Sequence, residues 1–444
     1  LLQIQEGGYD RALELADQMA ATRPDSPLPY YLRGMVRMLQ ERLAEARLQL
    51  EESLRRAGDY TPAQLLLARL ELRNGEAHAA RQRYERVLEG APQNRDALVG
   101  LSRAAENEGD IQTAIKHMEA LMVAGKERTG DRRRLAVLRL RSGEPEEALA
   151  IIQGLIREGG STIGLLELKA RAHLAAGQPS DAGKTLRVMS GMARDMPEGL
   201  MEVAALQVAA LDNAGAKISL ERALEIDPQH ADALMAMGIL AIRAGRWEDA
   251  QGWSERLKAS HPELAAGWIL EGDILARTKG MAAAREAYAE ALSLNADSAL
   301  ARKLFEARLN AGRQEQAFAG LEAWLADHPD DVTARRALAE GYMYVGEFKK
   351  AIAIQRTLLE RRPDDPMALR AMAEAYREVG DPRALDYARR AMELAPDDPS
   401  VIDTLGWTLV EEGDLALGLT HLRQAQAREG DNPRFRHHIG LTLL

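Results

Sequence analysis

The stretch 245-GRWEDAQGWSERLKASHP-262 places a glycine, an alanine five residues later and a proline twelve residues after that. The same spacing returns at Gly7/Ala12/Pro24, Gly75/Ala80/Pro92, Gly312/Ala317/Pro329 and Gly346/Ala351/Pro363. Gly109/Ala114, Gly143/Ala148 and Gly177/Ala182 keep the first two members, and Ala216/Pro228 keeps the last two. Gly75, Gly109, Gly143 and Gly177 follow one another at 34-residue steps. Gly245 lies two such steps beyond Gly177, with Leu211 in the slot between them. One residue is lost before Gly312, after which the step resumes through Gly346 and Gly380, and Gly413 follows after 33. A period of this size marks a repeat array in which each unit is one supersecondary element.

Each part of the unit has a physical reading. Residues before the glycine carry helical periodicity, as in 232-DALMAMGILAIRA-244, where Leu234, Met237, Leu240 and Ala241 share one face. The glycine ends that helix by taking a positive φ. A second amphipathic helix follows, often opening on proline (Pro145, Pro179, Pro382), which the first helical turn tolerates because its N–H would be unpaired there. The small alanine lets the two helices approach closely, and the late proline stops the second one. One unit is therefore a helix–turn–helix hairpin.

On these residues the chain resembles the tetratricopeptide repeat family. The likeness extends to a small residue at the eighth position of the unit: Gly34, Ala68, Ala136, Ala170, Gly238, Gly272, Ala339, Ala373 and Gly406. Units begin near 27, 61, 95, 129, 163, 197, 231, 265, 298, 332, 366, 399 and 433. The expectation is an all-α, right-handed solenoid of about a dozen hairpins, running through residues 1–444 as one continuous superhelix. Both ends fall inside a first helix (LLQIQEGGYDRA and 433-PRFRHHIGLTLL-444), which reads as a piece of a longer protein. The stretch 124-AGKERTGDRRR-134 reads as a longer loop between units.

Composition narrows the function. A net charge of -10 and only 4% aromatic residues argue against nucleic acid as partner. Cysteine is absent, which excludes disulfides and thiol chemistry and is compatible with cytoplasm or periplasm. No apolar run reaches membrane-spanning length, so attachment to a membrane would need an anchor outside this chain. No catalytic constellation, cofactor motif or metal site is read. His261 and His328 precede the proline that closes a unit, a helix-terminal place. His437 and His438 are adjacent, so their rings leave a helix about 100° apart, unlike metal-binding pairs at three- or four-residue spacing. Glu146-Glu147 and Asp364-Asp365 sit at helix starts or turns, where they favour the helix dipole.

Function is then expected on a surface. The family resemblance implies that first helices line a groove, with positions 2, 5, 9, 12 and 13 of the unit facing it. In the early units these slots hold Arg69, Arg73, Arg103, Arg133, Arg141 and Arg171. Arg69, Arg103 and Arg171 have no obvious carboxylate one turn away, which suits capture of an acidic segment or an anionic polymer. Later units place Asp273, Glu306, Glu340 and Glu374 at position 9 and Arg302, Arg336 and Arg370 at position 5. Arg302/Glu306, Arg336/Glu340 and Arg370/Glu374 read as i,i+4 pairs, each worth about 0.2–0.5 kcal/mol, either as a packing ladder or as a ligand contact. Trp407 stands in a groove slot, as a packing residue or a binding anchor. Trp247, Trp253, Trp268 and Trp324 are placed towards the repeat core or the convex side.

The strings 265-AAGWILEGDILA-276, 321-LEAWLADHPDD-331, 380-GDPRALDYARRAMELAPDDPSVIDTLGW-407 and 416-ALGLTHLRQAQ-426 resemble the repeat lipoprotein found with exosortase/PEP-CTERM sorting and exopolysaccharide loci of Gram-negative bacteria. The likeness departs at 369-LRAMAEA-375, where an asparagine-rich, tryptophan-containing helix would be expected. It implies a periplasmic, outer-membrane-anchored scaffold whose groove takes a protein or peptide segment, with an anionic polysaccharide as the other ligand class. A cytoplasmic adaptor for acidic tails and the recruiting arm of a polysaccharide-export porin are the alternatives.

Overall fold

A computed structural model describes residues 8–444. Gly7 and the rest of LLQIQEG lie outside the described residues, as does the expectation of a helix already under way at Leu1. The described residues form twenty-six α-helices and one short 3-10 turn, without a strand. Contacts divide the chain into two compact units, Leu1–Asp227 and Pro228–Leu444, each an all-helical stack of hairpins.

In the first unit the pair Arg95–Asn107 and Ile111–Val123 shows how local chemistry shapes a hairpin. The Asn94 side chain accepts from the backbone N–H of Ala97 at 3.0 Å, satisfying a free helix-start donor. Gly109 turns the chain with φ +82°, and Asp110 caps the second helix by accepting from Thr113 N–H at 3.0 Å. The recurring alanines do the packing. Ala46, Ala80, Ala114, Ala148, Ala182 and Ala216 are all 0% exposed, at the point where each second helix meets its first. The core is a row of small clusters. Leu98, Ile115, Met118, Leu121 and Leu135 form one, drawn from three successive helices; Ala136, Ile152 and Leu168 anchor the next. The loop expected to be long is only residues 124–128.

The second unit repeats the plan. Ala250, Ala284, Ala317 and Ala351 are again 0% exposed. The Pro-Asp-Asp runs turn out to be caps: Asp331, Asp365 and Asp398 each accept backbone N–H bonds at the start of the following helix. His261 and His328 close the helices Trp247–Ser260 and Gln314–Asp327. The lost residue before Gly312 falls in the linker after Arg285–Leu294: residues 295–297 connect to Ser298–Asn310, where 261–264 connect the preceding pair.

Where the period skips its glycine, the backbone does not. Leu211 takes φ +61° in its slot, and so does Glu41, 34 residues before Gly75. Left-handed geometry costs an L-residue roughly 1–2 kcal/mol. The helices on either side therefore dictate the turn against the local preference, and Leu211 is left 86% exposed.

Candidate functional site

Three successive first helices of the first unit, Thr61–Arg73, Arg95–Asn107 and Thr129–Arg141, enclose a cleft of ≈ 1040 Å³. Its lining has six arginines against three carboxylates. Four of the six arginines expected in the groove are there: Arg69, Arg73, Arg103 and Arg133. Arg95 and Arg134 join them, supplied by the same helices. Arg141 touches the site only through Glu106, which it pairs with, and Arg171 lies elsewhere.

Most of this positive charge is already answered. Asp131 is nearly buried and takes two parallel bonds from Arg95, both 2.7 Å, while also accepting the Arg128 N–H at the helix start. Glu106 is shared by Arg134 and Arg141, and Arg73 reaches Glu41 in the turn of the preceding hairpin. Arg69 stands 3.4 Å from Asp96. Arg69 has no carboxylate one turn away, as expected, but it is not left unpaired, because Asp96 reaches it from the next first helix; Arg73 and Arg141 likewise find their partners outside their own helices. The expectation of no carboxylate one turn away is corrected for Arg171, which bonds Glu167 one turn earlier at 2.8 Å.

Arg103 and Arg133 are different: among the described residues neither has an ion-pair or hydrogen-bond partner. Arg133 rests over Gly164, where a Cβ would stand 3.0 Å from the guanidinium. Beneath the arginines lies Tyr84, from the second helix Ala77–Gly90, 1% exposed and without a hydrogen-bond partner among the described residues. It fits there because Gly100 has no side chain: a Cβ at Gly100 would stand 2.3 Å from the ring. Burial pushes its phenol up to about 12, while the charges of Arg69 and Arg103 pull the other way. Arg134 is held below the ordinary guanidinium range, first by burial and also by repulsion from Arg103 and Arg141, despite Glu106. Excess cations and a buried neutral hydroxyl donor facing one cleft make a seat for an anion. Tyr84 carries no groove signal in the sequence because it stands on a second helix, whereas the groove slots fall on first helices.

In the second unit the ladder of i,i+4 pairs is only partly built. Arg302 bonds Glu306, and Arg370 bonds Glu374 at 2.7 Å. Arg336 instead pairs with Asp365, the cap of the next first helix, and Glu340 has no partner among the described residues. Asp273 accepts the Tyr288 hydroxyl at 2.7 Å and Lys303 at 2.6 Å, so it closes a packing contact.

Glu374 is the centre of a partly buried network. Besides Arg370 it accepts from Arg434 at 2.5 Å and Thr404 at 3.1 Å. Arg434 also stands 3.1 Å from Asp403, which is 0% exposed and bonds His438 at 2.9 Å. Burial pushes the Glu374 carboxyl up, but Arg370 and Arg434 outweigh it and hold it below its ordinary range. Trp407, half-buried, stacks on the His438 ring at 4.5 Å, so it packs within this network. Of the other tryptophans, Trp324 donates to Asp331 at 2.8 Å and Trp247 is 36% exposed. No helix among the described residues is long and apolar enough to cross a membrane.

Comparison with known proteins adds the following. Sequence models of the tetratricopeptide repeat match residues 1–62, 65–126 and 208–274. Tetratricopeptide repeat protein 8 of Caenorhabditis elegans is 26% identical over 250 residues, covering 55% of this chain and 49% of that protein. Human DnaJ homolog subfamily C member 3 is 21% identical over 254 residues, covering 54% and 47%. The chain thus spans about half the length of the curated relatives it matches. A solved tetratricopeptide repeat protein from Parabacteroides merdae superposes with a TM-score of 0.44 at 16% identity, over 56% of this chain and 99% of that one.

Proposed function

We infer that this tetratricopeptide repeat chain is a non-catalytic scaffold whose first unit holds an acidic, extended segment of a partner protein. Repeat proteins of this kind generally mediate protein–protein interaction. The observation that carries the finer reading is the cleft over Tyr84, where Arg103 and Arg133 lack partners amid neutralised arginines. Carboxylates suit both: a guanidinium offers paired N–H donors to a planar acid, and the buried hydroxyl offers one more.

The test is a titration of the chain with a fluorescent, glutamate-rich peptide. A charge-assisted hydrogen bond is worth about 1.5–3 kcal/mol. Arg103→Ala with Arg133→Ala is expected to weaken the peptide at least tenfold, with the circular dichroism melt unchanged. The interaction should also fade between low and high salt, because the cleft is open to solvent. Unchanged affinity in the double variant would remove this reading. Tight capture of an anionic polysaccharide, with the peptide ignored, would replace it by the polymer reading.

The C-terminal strings support a location. Their likeness to the lipoprotein of exosortase loci favours a scaffold at the bacterial envelope, in exopolysaccharide export or PEP-CTERM protein sorting, tethered by an anchor outside this chain. Labelled palmitate fed to cells making the full-length protein should appear on it in the outer-membrane fraction. Recovery of unlabelled protein from the cytosol would leave a soluble adaptor instead.

A further inference from the structure

We propose that the second unit carries a separate docking cleft for an extended peptide that presents a basic side chain, lysine or arginine, beside an apolar one. The cleft lies between the first helices Val332–Tyr344 and Pro366–Glu378 and encloses ≈ 370 Å³. Its charge is decided by who pairs with whom. Arg336 is drawn off by Asp365, and Arg370 is held by Glu374, itself saturated by Arg434 and Thr404. Glu340 alone among the lining carboxylates keeps an exposed, unpaired charge. One turn further along the same helix face stands Tyr344, 83% exposed. A carboxylate with an aromatic face one turn away suits a basic side chain, whose stem lies on the ring and whose head meets the acid.

The apolar part of the occupant follows from Met343 and from Met367, which is 38% exposed at the rim. Methionine fits varied apolar shapes because it is unbranched and flexible. The main chain of the occupant follows from Gln355, at the floor on the second helix Phe348–Arg361. It is 3% exposed and its Oε1 has no hydrogen-bond partner. A buried acceptor left unpaired costs free energy, and a peptide N–H entering the cleft would satisfy it. The Nε atoms of Arg336 and Arg370, which line the same cleft, are also buried and unpaired, so the cleft holds donors for a peptide carbonyl as well. Extended peptide backbone supplies both complements; a free metal ion or an anion does not.

The experiment uses the full chain and two fluorescent peptides of equal length, one alternating leucine with lysine and one alternating leucine with glutamate. The lysine peptide is expected to bind. Glu340→Lys should weaken it at least tenfold and Tyr344→Ala severalfold, both at exposed positions where folding is not at stake. Arg103→Ala with Arg133→Ala, in the other unit, should leave this peptide's affinity unchanged, so this cleft and the acidic-peptide cleft fail or stand separately. Three results would overturn the proposal: no saturable binding of the lysine peptide, equal affinity in Glu340→Lys, or loss of binding only in the Arg103/Arg133 variant.

Discussion

Asp403→Ala is expected to cost the second unit about 1.5–3 kcal/mol, because it removes the buried carboxylate that His438 and the part-exposed Arg434 share. Asp403 is 0% exposed. It accepts from His438 at 2.9 Å and stands 3.1 Å from the Arg434 Nε, and its second oxygen makes no well-aligned hydrogen bond. Without it, Arg434, whose side chain is 40% exposed, keeps Glu374 and reaches water but loses its second counter-charge. The His438 ring, stacked on Trp407, loses the acceptor that orients it. Asp403→Asn keeps an acceptor for His438 and should cost less. All five tryptophans lie in the second unit, so tryptophan fluorescence during urea unfolding reports that unit alone. A midpoint unmoved by Asp403→Ala would mean the network is decoration. Glu374 gives the matching pH signature. Its folded-state carboxyl lies below its unfolded value, so its contribution is complete above about 4.3 and is lost as pH falls through the folded value. Glu374→Gln should therefore flatten the acid limb of the unfolding curve.

The network also shows what a repeat sequence displays and what it hides. The hairpin was legible because its causes are local: a glycine or its slot, a buried alanine, a proline stop. Even the slot without glycine was legible as a slot, since Leu211 keeps φ +61° under the pull of its neighbours. The pairing of charges was not. In a stack of hairpins, the rival to a partner one turn away is a residue about one repeat away. Arg47–Glu76, Arg336–Asp365, Arg73–Glu41, Arg141–Glu106 and Arg95–Asp131 are separated by 29, 29, 32, 35 and 36 residues. An i,i+4 rule sees none of these. It assigned Arg336 to Glu340, whereas the capping aspartate of the next unit takes the arginine and leaves Glu340 open. Arg171, by contrast, has its carboxylate one turn away at Glu167, a pairing already present in the sequence. The candidate sites were thus legible as columns of slots, while which members stay unpaired emerged only from the packing.

Gly418→Ala is expected to destabilise the second unit by about 2 kcal/mol, although alanine is the better helix former by about 0.8–1 kcal/mol. The cause is the crossing of Pro399–Glu411 with Leu415–Arg428. Gly406 and Gly418 face each other there, at the two positions of the unit that elsewhere carry a small residue or alanine. A Cβ on Gly418 would stand 2.7 Å from the Gly406 carbonyl oxygen and 3.0 Å from the Val410 N. The Val410 side chain, 2.6 Å away, could turn aside, but the other two are backbone atoms of the facing helix, so the helices must separate. Separation would loosen the contact of Ile402 with Ala425 and Phe435 and disturb the neighbouring Asp403. Gly252 supplies the control. It lies inside the helix Trp247–Ser260, exposed, with nothing within 4 Å of an added Cβ. There Gly252→Ala should stabilise by up to about 1 kcal/mol through helix propensity alone. Urea unfolding followed by tryptophan fluorescence reads both variants on the same unit. Opposite shifts of the midpoint would show that the close crossing, rather than glycine flexibility, is why Gly418 is small. Two stabilising shifts would mean that the hairpin can open at little cost, and that its first helices are free to move around a ligand.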